Sequence, residues 1–267
     1  MNTKSVIAVM ATLWLSSTLV PPGADANDDL QRYLPPDQLR WLEHEDNRYL
    51  ALYQPAQVNF VRGRLLSMPD WPLHPLQSPW VRHSYEQAPI LGWHSWALVP
   101  PEMALQTHQL QQHNPASVHP QPVDEAFFEP YIVALQTRIQ RLSTEFSDNP
   151  GFTLWVMEGI TAAMAVKLIQ QQPELMPDAL VVIDMYLPQP QLNRSLSEQL
   201  AKLQLPVLEL ITPEANQWVT SSLDLRRQYS QKHQQVNYRQ RPLLSEGTSG
   251  QRELTSTLKG WLKYHGF

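Results

Sequence analysis

Phe152-Thr-Leu-Trp-Val-Met157 is a short apolar run of β-favouring residues, and Ile160-Thr-Ala-Ala-Met-Ala-Val-Lys-Leu-Ile169 after it is Ala-rich and helical, with Glu158-Gly159 between them. This reads as a strand, a sharp turn and a helix, the joint from which α/β sheets are built. The apex falls on Gly159, which tolerates a strained backbone but offers no side chain.

Working outward, Phe128, Ile132, Leu135, Ile139, Leu142 and Phe146 recur at spacings of four and three, which predicts a helix with one buried stripe, and Pro130 suits its first turn. Downstream, Leu180-Val-Val-Ile-Asp-Met-Tyr186 is nearly continuous in apolar residues, as an interior parallel strand requires, and Pro188 and Pro190 end it. Ser195-Leu-Ser-Glu198 reads as a capping box that opens a helix carrying Leu196, Leu200 and Leu203. A strand at Leu205–Ile211, a helix over Ala215–Lys232 and a last strand at Val236–Arg241 follow. Leu254, Leu258, Trp261, Leu262 and His265 then mark an amphipathic C-terminal helix.

Toward the N-terminus, Arg48–Tyr53 and Val58–Ser67 are strand-like runs separated by Gln54-Pro-Ala-Gln57, and they predict an opening antiparallel pair. The Pro-punctuated segment before them suggests one helical turn around Leu39 and Trp41. Met68-Pro-Asp-Trp-Pro-Leu-His-Pro75 is a turn-rich loop. Leu76–Ala88 predicts a short helix with Trp80, Val81 and Tyr85 inward, and His94–Val99 a further strand. The stretch 102–122, rich in Gln, His and Pro, is long for a connection and is expected as a lid-like insertion or a mobile loop.

The chain has 267 residues, a formal net charge of −5 and no cysteine. Thiol catalysis, disulfides and thiolate zinc sites are thereby excluded. The absence of a dense Lys/Arg stripe argues against nucleic acid as a partner. A short basic start, an apolar run over Ser5–Val20 and Ala24-Asp-Ala26 predict a secretory signal over 1–26. A single domain over 27–267 is expected to follow it, periplasmic or secreted and without a stable membrane span after cleavage.

The order of elements, with Leu205-Pro-Val-Leu-Glu-Leu-Ile-Thr-Pro-Glu214, resembles the α/β-hydrolase superfamily. Leu34-Pro-Pro36, Trp41-Leu-Glu43, Met68-Pro-Asp-Trp71, Gly92-Trp93, Glu158-Gly159 and Leu205-Pro-Val-Leu208 together resemble an uncharacterised proteobacterial family of exported α/β-hydrolase-like proteins, a domain of unknown function. The resemblance implies a mostly parallel sheet with helices on both faces and an antiparallel N-terminal strand pair. It places the nucleophile of the G-x-S-x-G elbow on Gly159, with Met157 and Thr161 where the flanking glycines would lie. It sets the acid near Glu214, part of the oxyanion hole in the Met68–Pro75 loop, and the histidine in Leu243-Leu-Ser-Glu-Gly-Thr-Ser-Gly250, which contains none. Loss of both nucleophile and base would remove the route to an acyl-enzyme.

Three functions are therefore open. The first is a non-catalytic protein that binds an envelope component or a protein partner. The second is a hydrolase of ester-type bonds with a relocated constellation around Glu158, Ser67 and Asp70, in which burial raises the Glu158 pKa and makes it a general base. Turn chemistry explains Ser67 and Asp70 equally well, a threonine at a helix start such as Thr161 more often caps than attacks, and Glu214 also suits the start of a helix. The third is recognition of glycan, lipid or a partner by the Trp/His-rich segment that holds Trp71, Trp80, Trp93 and Trp96, although core packing better explains Trp93 and Trp96, which flank a strand. His74, His83, His94, His108, His113 and His119 share that region but lack metal-ligand spacing, so neither a metal nor a cofactor is expected.

Overall fold

The computed structural model describes residues 30–32, 34–44, 47–102, 125–146 and 151–267. The expected signal over 1–26 and all but the first residue of the 102–122 loop, with His108, His113 and His119, lie outside the described residues. Eight strands form one sheet: β1 (Leu39–His44), β2 (Asn47–Gln54), β3 (Gly63–Met68), β4 (Trp93–Leu98), β5 (Phe152–Glu158), β6 (Ala179–Ile183), β7 (Val207–Ile211) and β8 (Tyr238–Pro242). Their spatial order is β1-β2-β4-β3-β5-β6-β7-β8. The β1–β2 and β2–β4 pairs are antiparallel and every later pair is parallel.

The helices are α1 (Pro79–Gln87), α2 (Glu129–Glu145), α3 (Gly159–Gln171), α4 (Pro190–Ala201), α5 (Gln217–Thr220), α6 (Leu223–Lys232) and α7 (Gly247–His265). Alternation along the strands divides the core between the two faces of the sheet. Trp155 and Met157 of β5, with Leu180 and Val182 of β6, join α2, α3 and α4 on one face. Leu154, Val156, Val181 and Ile183 point the other way, onto Trp80 of α1 and onto Leu254, Leu258 and Trp261 of α7. Helix α3 is buried from Gly159 to Ile169, and its run of alanines lets it lie close between sheet and neighbouring helices.

Several local expectations are corrected. The antiparallel hairpin is β1–β2, one strand earlier than predicted, and Leu39 and Trp41 lie in a strand rather than a helical turn. Their period is two. Leu39 and Trp41 pack beside Leu50 and Leu52, while Leu42 turns to the opposite core. Val58–Val61 stays outside the sheet with Phe60 exposed, and β3 pairs in parallel with β4 and β5. Helix α4 opens at Pro190, where the Gln189 side chain accepts the Leu192 amide, so Ser195 and Glu198 are interior residues rather than a capping box. The helix predicted over Ala215–Lys232 divides into α5 and α6 where the Ser222 hydroxyl donates back to the carbonyls of Trp218 and Val219.

Candidate functional site

Glu158 ends β5 and Gly159 opens α3 with φ +58°, a left-handed conformation that suits glycine. Because β3 runs beside β5 with Met68 opposite Met157, the loop leaving β3 rises next to this turn. Asp70 is its second residue. Its Oδ1 accepts the Ile160 amide at 2.7 Å, and Tyr186 donates its hydroxyl to Oδ2 at 3.3 Å. A Cβ built on Gly159 would overlap the Asp70 carboxyl group, well inside any permitted van der Waals separation. The space where an elbow side chain would begin is filled by a carboxylate from the neighbouring loop.

That carboxylate also caps α3. Glu158 makes no side-chain cap of its own, and an acid at a helix N-terminus is favoured by the unpaired amides and the dipole there. Glu158 turns instead to the loop, where its Oε2 accepts the Asp70 amide at 3.3 Å and it receives the Ser78 hydroxyl. Asp184, at the end of β6 with φ 45°, accepts both the amide and the hydroxyl of Thr212. Three carboxyl groups thus gather at the C-terminal ends of β3, β5 and β6.

Burial and mutual repulsion set their ionisation. Asp70 is pushed up to about 7, first by burial, against the lowering effect of its backbone hydrogen bond with Ile160, and further by the nearby Glu158. Burial likewise raises Glu158 and Asp184, the former also by repulsion from Asp184. Since an unfolded aspartate titrates near 3.8, the folded chain keeps a proton that the unfolded chain has lost between these two values. Asp70 therefore supports stability below about pH 4 and withdraws that support as pH rises toward 7. Asp70→Asn keeps an acceptor for the Ile160 amide and removes the charge. Thermal melts of this variant are expected to show a gain in Tm on the order of 10 °C at pH 8 and almost none at pH 4. Equal shifts at both pH values would contradict the ionisation argument.

The other sequence candidates disperse. Ser67 is fully buried and donates its hydroxyl to the Trp96 carbonyl at 3.1 Å, so it does not join Glu158 and Asp70 in a shared constellation. It points into the sheet packing because β3 alternates and Asp70 lies beyond the strand end. Thr161 is buried and hydrogen-bonded to the Tyr131 hydroxyl at 2.8 Å. Glu214 is exposed, two residues past Thr212. Trp93 and Trp96 are core residues, as their place beside a strand implied; Trp80 is buried as well and so is withdrawn from any recognition surface, while Trp71 packs partly buried against the core. His94 takes the Tyr53 hydroxyl at Nδ1 and His83 meets the Thr255 hydroxyl, both remote from the elbow in the hydrogen-bond pattern. Among the described residues no three of His, Asp and Glu converge to hold a metal, and no helix is long and apolar enough to cross a membrane.

Sequence reasoning missed Asp184, Tyr186 and Tyr131. A carboxylate closing the apolar run Leu180–Ile183 was the available signal for Asp184, because parallel strands bring their C-terminal ends to one edge of the sheet.

Strand order, elbow and flanking loops together make the comparison with known proteins informative. Residues 136–264 match the family described as protein of unknown function (DUF3530). That stretch runs from within α2 through the elbow to α7. It agrees with the resemblance to an uncharacterised α/β-hydrolase-like family. A comparison with curated proteins found no match. Among solved structures the chain is similar to Est1E from Butyrivibrio proteoclasticus, with 8% identity, a TM-score of 0.57, and 85% of this chain and 97% of that one covered. It is also similar to an alpha-beta serine hydrolase homologue from Coxiella burnetii, at 10% identity and TM-score 0.55, covering 88% of this chain and 100% of that one. A serine hydrolase without lid from Xanthomonas campestris aligns at 10% identity and TM-score 0.52, over 85% of this chain and 91% of that one. At these identities the likeness establishes the α/β-hydrolase fold.

Proposed function

We propose that this chain is an exported α/β-hydrolase-like protein that works without a Ser-His-acid triad and acts by binding an envelope component or a protein partner. One observation carries the reading: the Asp70 carboxyl group stands over Gly159 and takes the Ile160 amide. In an acyl-transfer elbow the amide following the nucleophile stabilises the developing oxyanion, and here the Asp70 carboxyl group occupies it. The loop from Leu243 to Glu246, between β8 and α7, carries no histidine to serve as base. Export rests on the N-terminal sequence, Met1–Ala26.

A fluorophosphonate probe tests the reading directly, because it reports any activated serine. The purified protein is expected to remain unlabelled, and labelling at any serine sinks the proposal. A second reading draws on the meeting of Asp70 and Glu158 at the elbow, where a carboxyl group titrating near neutrality suits general acid–base chemistry on an ester-type bond. Ester turnover by the unlabelled protein that vanishes in Asp70→Asn would favour it over binding alone.

A further inference from the structure

Exposed apolar side chains are ordinary when scattered singly and informative when they gather. Among the described residues, five of the ten large hydrophobic side chains that stand exposed, Val58, Phe60, Val61, Ile90 and Phe152, lie in one place. The sheet explains why. Strands β3, β4 and β5 run parallel and start level, with Gly63 opposite both Trp93 and Phe152, so the segments that enter them meet at the end of the sheet opposite the elbow. Hydrogen bonds fix these segments to one another. The Gln57 amide donates to the Pro89 carbonyl at 2.9 Å, Arg62 to Gly92 at 2.8 Å and Phe152 to Arg62 at 3.0 Å. Phe152 also meets the ring of Phe267 edge to face, with 4.9 Å between centroids, which brings the end of α7 to the same surface. Phe60 is the most exposed of the group, at 73%.

Charge singles out the partner. The segments that build this end, 55–64, 87–94 and 254–267, contain no aspartate or glutamate and carry Arg62, Arg64, Lys259 and Lys263, in a chain whose net charge is −5. Arg62 lies inside the apolar group. Its Nε donates to the Leu91 carbonyl at 3.0 Å and its Nη1 to the Phe267 carbonyl at 2.7 Å, with the guanidinium 5.8 Å from the centre of the Phe60 ring. Lys259 and Lys263 are exposed one turn apart on α7. The acids that border this end are engaged: Glu86 pairs with Arg82, and Asp178 accepts the Thr153 amide at 2.7 Å and acts on Arg64.

We propose that this end of the molecule docks on an anionic lipid surface, with the five apolar side chains entering the acyl boundary and the cations facing the phosphates. The hydrogen-bonded ledge offers its apolar area with little left to order, and the cations add attraction to acidic headgroups. A protein interface of standard size needs about 800 Å² from each partner, more than five side chains that are 40 to 73% exposed supply. Membrane attachment instead scales with whatever apolar area enters the boundary. The surface lies at the opposite end of the sheet from Gly159, so the fluorophosphonate test does not bear on it.

Cosedimentation of the full chain with vesicles of phosphatidylcholine and phosphatidylglycerol in equal parts tests the proposal, with pure phosphatidylcholine as the neutral surface. Binding to the mixed vesicles is expected to be at least about tenfold tighter than to the neutral ones. Phe60→Ser, at an exposed position outside the core, is expected to weaken it at least about fivefold. Lys259→Glu combined with Lys263→Glu is expected to remove most of the preference for the acidic lipid. Equal binding to the two kinds of vesicle overturns the proposal, as does binding to neither. Binding unchanged by Phe60→Ser would place the contact elsewhere, for example on the apolar run Ser5–Val20, and overturns it too. Ultracentrifugation of the free protein covers the remaining occupant. A dimer that Phe60→Ser dissociates would assign the surface to a second copy of the chain and overturn the assignment to lipid.

Discussion

Gly159→Ser is expected to lower stability by about 4 kcal/mol and to create no esterase. Two effects add. A serine at φ +58° carries a left-handed strain of about 1 to 2 kcal/mol. Its Cβ must also displace the Asp70 carboxyl group, which is held by the Ile160 amide, and overpacking of this kind typically costs about 1 to 3 kcal/mol. Urea unfolding checks the size. Asp70→Gly added to Gly159→Ser is expected to recover the overlap term and leave the backbone strain, so the two substitutions should couple by at least about 1.5 kcal/mol. A Gly159→Ser chain as stable as wild type would mean that the carboxylate does not occupy the elbow.

Arg226→Met is expected to cost about 3 to 5 kcal/mol, a fall in Tm on the order of 10 °C. Glu209 sits in the middle of β7 with no exposure, and Arg226 of α6, equally buried, meets it through Nη1 while Nη2 donates to the Met185 carbonyl at 2.6 Å. Tyr238 and Gln240 of β8 donate to the other carboxylate oxygen. Removing the guanidinium leaves a buried charge with neutral donors only, and that uncompensated charge dominates the loss. Arg226→Met combined with Glu209→Gln should therefore be less damaging than Arg226→Met alone. The exposed pair Arg227–Asp224 supplies the contrast, since such pairs contribute about 0 to 1 kcal/mol. A loss at Arg226 no greater than at Arg227 would show that the buried network does not form.

The elbow was legible because its signal is local and strong. An apolar strand, a glycine and an alanine-rich helix in direct succession leave few alternatives, and β5 and α3 fall where residues 152–169 place them. The spacing of Ile132, Leu135, Ile139 and Leu142 located α2 for the same reason, and all four are buried. Segments with weaker periodicity were misread. Leu39, Trp41 and Leu42 fit either a helical turn or a strand, and only pairing with Tyr49–Leu52 decides between them. Val58–Val61 looked like strand by composition, yet composition does not say whether an edge is available for it to join.

At the candidate site, residue types were visible while their directions were not. Asp70 and Glu158 were singled out by their positions beside predicted strand ends, and they do meet. Ser67, three residues before Asp70, turns into the sheet, because one step along a strand reverses the side chain. The overlap of Asp70 with Gly159 depends on register between β3 and β5, which no local pattern encodes.

Strand β8 gives the sheet a margin that resists growth. A free strand edge offers main-chain groups to which a strand of another molecule can add. On β8 the exposed positions are Arg239, Arg241 and Pro242, and Arg239 lies over the ring of Tyr264 at 5.5 Å. A second copy arriving at this edge would bring its own two arginines toward the first pair, and Pro242 has no amide proton to contribute. Crowded copies of the chain are thereby discouraged from zipping into a longer sheet, whatever the elbow at its centre holds.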